Sequence, residues 1–90
     1  MLYMVIEHFK AGAGVEVYRR FRDRGRMAPD GLEYVASWVE PDYSRCFQVM
    51  RTDERALLDA WMANWSDLID FEVRSVLSSS EAAAAMAAEL

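Results

Sequence analysis

The sequence predicts an α+β fold of the ferredoxin-like class, in which a four-stranded antiparallel sheet carries two helices on one face. The main observation is that the hydrophobic pattern changes in the order strand, helix, strand, strand, helix, strand. A length of 90 residues allows this one domain but not two. The composition, with 53% hydrophobic and 28% charged residues, is typical of a globular protein.

The first half of the chain contains one strand and one helix. Residues 2–9 are rich in β-branched, aromatic and aliphatic side chains, and the Ala11-Gly12-Ala13-Gly14 turn follows them. Residues 15–27 change to helical spacing. Gly25 can close this helix, because glycine adopts the left-handed conformation without strain. The pattern therefore predicts a strand, a turn and a helix whose last residues are frayed.

The second half contains a hairpin, a helix and a fourth strand. Residues 32–40 and 44–51 alternate as strands on either side of Pro41-Asp42, which favours a hairpin. Residues 53–67 carry an apolar stripe wide enough to lie on a sheet, and residues 70–77 read as the last strand. We therefore predict a domain over residues 1–77. A Ser/Ala-rich tail follows over residues 78–90, and its first residues resemble a helix start.

Composition and charge argue against several classes of function. Ten basic residues against fifteen acidic ones give a net charge of −5, the wrong sign for neutralising phosphates, so no nucleic-acid partner is expected. One cysteine and one histidine cannot supply a His/Cys zinc site, and no metal or cofactor is predicted. There is no secretory signal and no run of roughly 20 apolar residues, which indicates a cytoplasmic protein without a membrane partner.

Several segments of the chain resemble one family. The segments MLYMVIEHFK, VYRRFRDRGRM, GLEYVASWVE, RCFQVM and WMANWSDLIDFEV resemble the short bacterial domains called domain of unknown function 3303. The resemblance covers residues 1–76, and the family itself is similar to the dimeric α+β-barrel superfamily, which includes muconolactone isomerases, quinol-type monooxygenases and YCII-like proteins. It implies a homodimer with a small-molecule pocket. It implies no single chemistry, because function belongs to sites rather than to folds.

Strand alternation predicts which side chains point away from the helices. Large apolar residues on both faces of the sheet cannot all face water, so we expect a second copy of the chain to cover the open face, with a pocket for a small organic ligand between or beside the copies. A β-bulge would invert any strand's assignment. The residues predicted on the open face are Tyr3, Val5, Glu7, Phe9, Tyr34, Ala36, Trp38, Cys46, Gln48, Met50, Glu72 and Arg74.

Two residues of the first strand are candidates for acid/base chemistry. Glu7 is the better general base, because burial among apolar side chains would raise its pKa toward neutrality. The alternatives are a salt bridge from Glu7 to Arg74 or a contact in the dimer. His8, predicted to point toward the helices, is either a hydrogen-bonded structural histidine or a proton carrier in the pocket.

Other candidates have a structural alternative as well. Cys46 is a buried small apolar residue or, beside a cation, a nucleophile. The arginines at 19, 22 and 26 share one helix edge, which indicates either a solvated ion-pair face or an anion site. Trp61 and Trp65 are expected in the core. As ligand-binding residues we predict Tyr34, Trp38, Cys46, Gln48 and Arg74.

Two functions are consistent with these features. The first is a small-molecule-binding domain that performs cofactor-free acid/base chemistry on an organic acid or aromatic compound. The second is a non-catalytic dimerisation or regulatory module that uses the same face only to pair. A pocket with convergent polar groups supports the first function, and a filled, dry interface supports the second.

Overall fold

The computed structural model describes residues 1–90, and its elements follow the predicted order. The sheet is antiparallel with the strand order β2-β3-β1-β4, which is the ferredoxin-like arrangement, so the predicted fold is confirmed. The elements are β1 (Leu2–Phe9), α1 (Gly14–Arg24), β2 (Glu33–Val39), β3 (Arg45–Arg51), α2 (Arg55–Ala63), β4 (Ile69–Val76), α3 (Ser79–Met86) and a 3₁₀ turn (Ala87–Glu89).

Helix α1 ends three residues earlier than its predicted limit at residue 27. Gly25 has a φ of 67°, and its backbone N–H donates a hydrogen bond to the carbonyl of Phe21, which closes the helix. Met27 also has a positive φ, of 61°. The chain therefore leaves the helix axis at once, and Arg26 lies in a loop. The prediction that Arg26 shares one edge of the helix with Arg19 and Arg22 is therefore wrong, because Arg26 lies outside the helix.

Helices α1 and α2 pack on the same face of the sheet and enclose one core. Helix α2 begins after Glu54, whose backbone N–H donates a hydrogen bond to the Thr52 hydroxyl at 3.1 Å. Trp65 lies in the turn that follows the helix. The tryptophans predicted for the core are both there. The buried apolar cluster consists of Tyr3, Val5, Val17, Leu32, Met50, Leu58, Trp61, Trp65 and Ile69.

The predicted faces of β1 and β3 are wrong. Side chains on adjacent antiparallel strands that are paired in register point to the same side of the sheet. Val5 pairs with Val73 and Glu7 pairs with Phe71, which β4 directs toward the helices. The strands carry apolar residues on both faces, so alternation alone did not distinguish them. Seven side chains that were predicted on the open face point toward the helices instead. They are Tyr3, Val5, Glu7, Phe9, Cys46, Gln48 and Met50.

A β-bulge in β2 changes the face of Tyr34 but not that of its neighbours. Tyr34 pairs with Met50 and lies on the helix side, which corrects the prediction. The register then shifts by one residue before Ala36, so Ala36 and Trp38 point to the open face as predicted. The faces of β4 are also as predicted, with Glu72 and Arg74 on the open side.

The open face of the sheet has an apolar centre. Trp38 is 61% exposed, and the other members are half-buried in the single chain. The centre consists of Leu2, Met4, Ile6, Ala36, Trp38, Phe47 and Val49.

The C-terminal tail forms a helix. Helix α3 begins with a capping box between Ser78 and Glu81, as the serine-rich start predicted, but it buries no residue. No helix of the chain combines the length and the hydropathy that crossing a bilayer would require.

Candidate functional site

A cavity of about 180 Å³ lies between the helix side of the sheet and helix α1. Strands β1 and β3 form its floor, α1 forms one wall, and the two core tryptophans close its end. Aromatic and aliphatic groups make up most of the lining. The lining residues are Glu7, Phe9, Val17, Tyr18, Phe21, Arg26, Ser37, Val39, Cys46, Gln48, Trp61 and Trp65.

Glu7 contributes a buried carboxyl group to the floor of this cavity. The residue is only 6% exposed, and no hydrogen bond or ion pair joins its carboxyl to another side chain. Every fully enclosed polar side-chain atom of the protein has a hydrogen-bond partner. The carboxyl oxygens of Glu7 have none, so they are not fully enclosed and lie at the surface of the cavity. Burial raises the pKa of Glu7 from 4.5 to about 7, and the nearby charge of Arg26 limits the rise. Near neutral pH this carboxyl is thus able both to accept and to donate a proton.

Arg26 brings the positive charge to the cavity. Its guanidinium lies 3.8 Å from the centre of the Tyr34 ring and 5.2 Å from that of Phe21, in cation–π contact with both. One N–H group points to the Gln48 side-chain oxygen at 3.5 Å. Arg26 has no carboxylate partner in the chain, whereas the arginines of α1 at positions 19, 20 and 22 are paired with Glu16, Asp67 and Asp23. The pairs of Arg19 with Glu16 and of Arg22 with Asp23 agree with the predicted ion-pair face.

Two tryptophans hold the backbone of Arg26 in place. The indole N–H groups of Trp61 and Trp65 donate hydrogen bonds to the Arg26 carbonyl oxygen at 3.0 and 3.1 Å. The adjacent Met27 carbonyl accepts a third bond from Asn64 at 3.4 Å. This loop is therefore preorganised by side chains that are distant in sequence. Arg26 was not predicted as a cavity residue, although Gly25 is the signal in the sequence that the helix ends before it.

Cys46, Gln48 and Ser37 are further polar residues of the cavity lining. Burial and the nearby Glu7 raise the pKa of Cys46 to about 12, so its thiol stays protonated and behaves as a small buried group rather than a nucleophile. The amide of Gln48 donates to the Met50 sulfur at 3.3 Å, which directs its oxygen toward Arg26. The hydroxyls of Tyr34 and Ser37 are 2.8 Å apart.

Comparison with known proteins assigns the chain to a family. The family described as Domain of unknown function (DUF3303) matches residues 1–90, including the tail that the resemblance had left out. The chain belongs to this family. Among solved structures, this DUF3303 domain is similar to Rv0793 from Mycobacterium tuberculosis, with 18% identity and a TM-score of 0.52, over 88% of this chain and 98% of that one. At this identity the similarity shows the fold alone. No curated protein matches the sequence significantly.

In the DUF3303 domain, three of the predicted site residues lie on the opposite side of the sheet from the cavity, namely Trp38, Arg74 and His8. Trp38 and Arg74 lie on the open face, away from Glu7, so the predicted Glu7–Arg74 salt bridge is wrong. Arg74 instead lies 3.6 Å from Glu72. His8 also points to the open face rather than toward the helices, and its Nε2 is 2.5 Å from the Glu72 carboxylate. Its hydrogen bond matches the structural alternative.

A second groove adjoins the cavity. Phe9 and Tyr18 line both the cavity and the groove, and their rings meet edge to face at 6.4 Å. Tyr43 extends this aromatic row on the outer side, 6.0 Å from Tyr18. No three His, Cys, Asp or Glu groups lie close enough together to hold a metal ion.

Proposed function

We propose that this domain binds a small single-ring organic molecule in the cavity under α1 and that Glu7 exchanges a proton with it. The observation that carries the proposal is the Glu7 carboxyl, which is buried at a cavity surface without a hydrogen-bond donor from the protein. A buried polar group without a partner costs free energy. A ligand hydroxyl would supply the missing donor. Pockets of this make-up, mostly apolar with a few convergent polar groups, are typical of small-molecule sites.

The size of the cavity limits the ligand. A cavity of about 150 Å³ lined by apolar side chains accommodates benzene. The cavity here is about 180 Å³, so it suits one aromatic ring with one or two small polar substituents. The rings of Phe9, Tyr18 and Phe21 offer edges and faces for stacking against such a ligand.

The chemistry proposed for Glu7 is proton transfer without a cofactor. The ionised carboxylate takes the proton of a ligand hydroxyl or of a carbon next to a carbonyl, becomes a neutral acid, and leaves the ligand as an anion. Returning the proton to the same or another atom completes the cycle, so no oxidant or reductant is needed. A pKa of about 7 gives a general base that is both available and effective near neutral pH.

The binding of 4-hydroxybenzamide tests this function. This neutral probe has a ring and a hydroxyl group, and a hydrogen bond to a carboxylate is stronger than one to a neutral acid. We expect its affinity, measured by isothermal titration calorimetry, to rise by about five- to tenfold between pH 6 and pH 8 as Glu7 ionises. Glu7→Gln should remove this pH dependence. Glu33→Gln, an exposed carboxylate paired with Arg51, is the control and should keep it. Absence of binding at every pH would refute the proposal.

The apolar centre of the open face supports a second part of the proposal, a homodimer through that face. An interface between two identical surfaces must be self-complementary. Around its apolar centre this face carries both acidic side chains, Asp70 and Glu72, and basic ones, Arg45 and Arg74, so a second copy offers opposite charges to each. An apolar centre with a charged rim is the usual composition of a protein interface. Pairing alone would also serve the alternative function, a dimerisation module, and the calorimetric experiment distinguishes the two.

Sedimentation velocity tests the homodimer. We expect the wild-type chain to sediment as a dimer at micromolar concentration. Trp38→Glu places a charge in the apolar centre and should shift the protein to monomer, with a rise in dissociation constant of about a hundredfold or more. Val15→Glu is the control, because Val15 is 68% exposed on α1 and lies on the other side of the sheet. A wild-type monomer, or dissociation by both variants alike, would contradict pairing through this face.

A further inference from the structure

We infer that the ligand is a carboxylate and that Arg26 is the residue that recognises its charge. This inference rests on the proposed function and adds the chemical class of the ligand. It comes from the arrangement of Arg26 rather than from Glu7. The loop that carries Arg26 is held at its backbone by Trp61 and Trp65, so the side chain enters the cavity from a rigid support. Preorganised groups bind a ligand with less loss of conformational entropy.

The guanidinium of Arg26 has unused donors. A guanidinium carries five N–H groups in a planar fork. In this chain the only acceptor bound by the Arg26 side chain is the Gln48 oxygen, at the long distance of 3.5 Å. The face of the group lies on the Tyr34 ring, which covers it without using any N–H group. The fork is thus oriented by stacking while its edge stays available.

The charge of Arg26 is also left without an ion-pair partner. Arg26 is only partly exposed, and no carboxylate of the chain lies within ion-pair distance of it, while seven other arginines have such a partner. Glu7 lies near enough to Arg26 for the positive charge to lower its pKa, but the two side chains do not form an ion pair. A planar carboxylate matches the fork of an arginine with two parallel hydrogen bonds. A ring that carries a carboxylate bound by Arg26 and a hydroxyl bound by Glu7 would engage both ionisable side chains.

Two probes test the inference, one with a carboxylate and one with a neutral carboxamide at the same position of the ring. We expect 4-hydroxybenzoate to bind about tenfold or more tightly than 4-hydroxybenzamide at pH 8 and moderate salt, because a charge-assisted hydrogen bond is about twice as strong as a neutral one. Arg26→Gln should reduce this preference to about one. Arg26→Lys keeps the charge without the fork, so part of the preference should remain. The measured quantity is a ratio of two affinities in one protein, and a general loss of stability does not change it.

Arg24→Gln is the matched control. Arg24 is an exposed arginine two residues away without a carboxylate partner, so its replacement should leave the preference unchanged. Equal affinities for the two probes in the wild-type protein would overturn the inference and leave the proposed function standing, since the amide still binds. A preference that survives Arg26→Gln would overturn it as well. If neither probe binds, the proposed function fails, and the inference fails with it.

Discussion

Trp61→Ala is expected to lower the free energy of unfolding by about 3–5 kcal/mol, the largest loss for any single substitution considered. Trp61 is 2% exposed, packs against Phe71 with ring centres 5.8 Å apart, and lies in the middle of the core cluster. Its removal leaves a large hole in the core. It also removes one of the two indole donors to the Arg26 carbonyl. Urea unfolding followed by circular dichroism measures the loss.

Two further variants separate the contributions of Trp61. Trp61→Phe keeps an aromatic ring but loses the indole N–H, and we expect a smaller loss of about 1–2 kcal/mol. Val15→Ala removes methyl groups from a side chain that is 68% exposed on α1, so its unfolding free energy should stay within about 0.5 kcal/mol of the wild type. Equal losses for Trp61→Ala and Val15→Ala would contradict the position of Trp61 in the core.

Glu7→Gln is expected to make the protein more stable at pH 8 and to change its stability little at pH 5. Burial raises the pKa of Glu7 from 4.5 in the unfolded chain to about 7 in the folded one. Between these values the folded state holds a proton that the unfolded state has released. Stability therefore falls as the pH rises from 4.5 through 7 and stays low above that. The difference between 4.5 and about 7 corresponds to roughly 3 kcal/mol, and glutamine does not titrate.

Thermal unfolding of both proteins from pH 5 to pH 8 measures this effect. The difference between wild type and Glu7→Gln cancels the titration of all other groups, so it isolates Glu7. Glu33→Gln serves as the control, since an exposed and ion-paired carboxylate gains no stability at high pH when it is neutralised. A variant that is less stable than the wild type at pH 8 would show that the Glu7 carboxylate is stabilised in the folded state, which is the opposite of the present interpretation.

The order of the elements could be predicted because it depends on local signals. The change from two-residue to helical spacing after residue 14, and the return to alternation at residue 32, are visible in the sequence and appear in the structure within one to three residues. Topology follows from that order, since the hairpin between β2 and β3 and the fixed handedness of the two strand–helix–strand crossovers leave few arrangements. Glu7 was correctly selected as a buried carboxyl because it lies among apolar neighbours in a strand.

The location of the site could not be predicted from the same signals. Glu7 and Cys46 were expected on the open face, and they line a cavity on the other side. A strand with apolar residues at both odd and even positions offers no local preference between the faces, and a shift of one residue reverses all of them. The bulge in β2 had the same effect on Tyr34. Trp38 and Arg74, assigned to the pocket with Glu7, are separated from it by the sheet.

By itself, the sequence determined that this chain forms a ferredoxin-like fold with an excess of acidic residues, and it singled out the Glu7 carboxyl among apolar neighbours in the first strand. Only the tertiary structure decided that this carboxyl faces the helices and that Arg26 joins it. The physical reason is the range of the interactions involved. Helix caps and hydrophobic periods act between neighbours in the chain, whereas the side of a strand and the path of the Arg26 loop depend on pairing with β4 and on two indoles about 35–39 residues away.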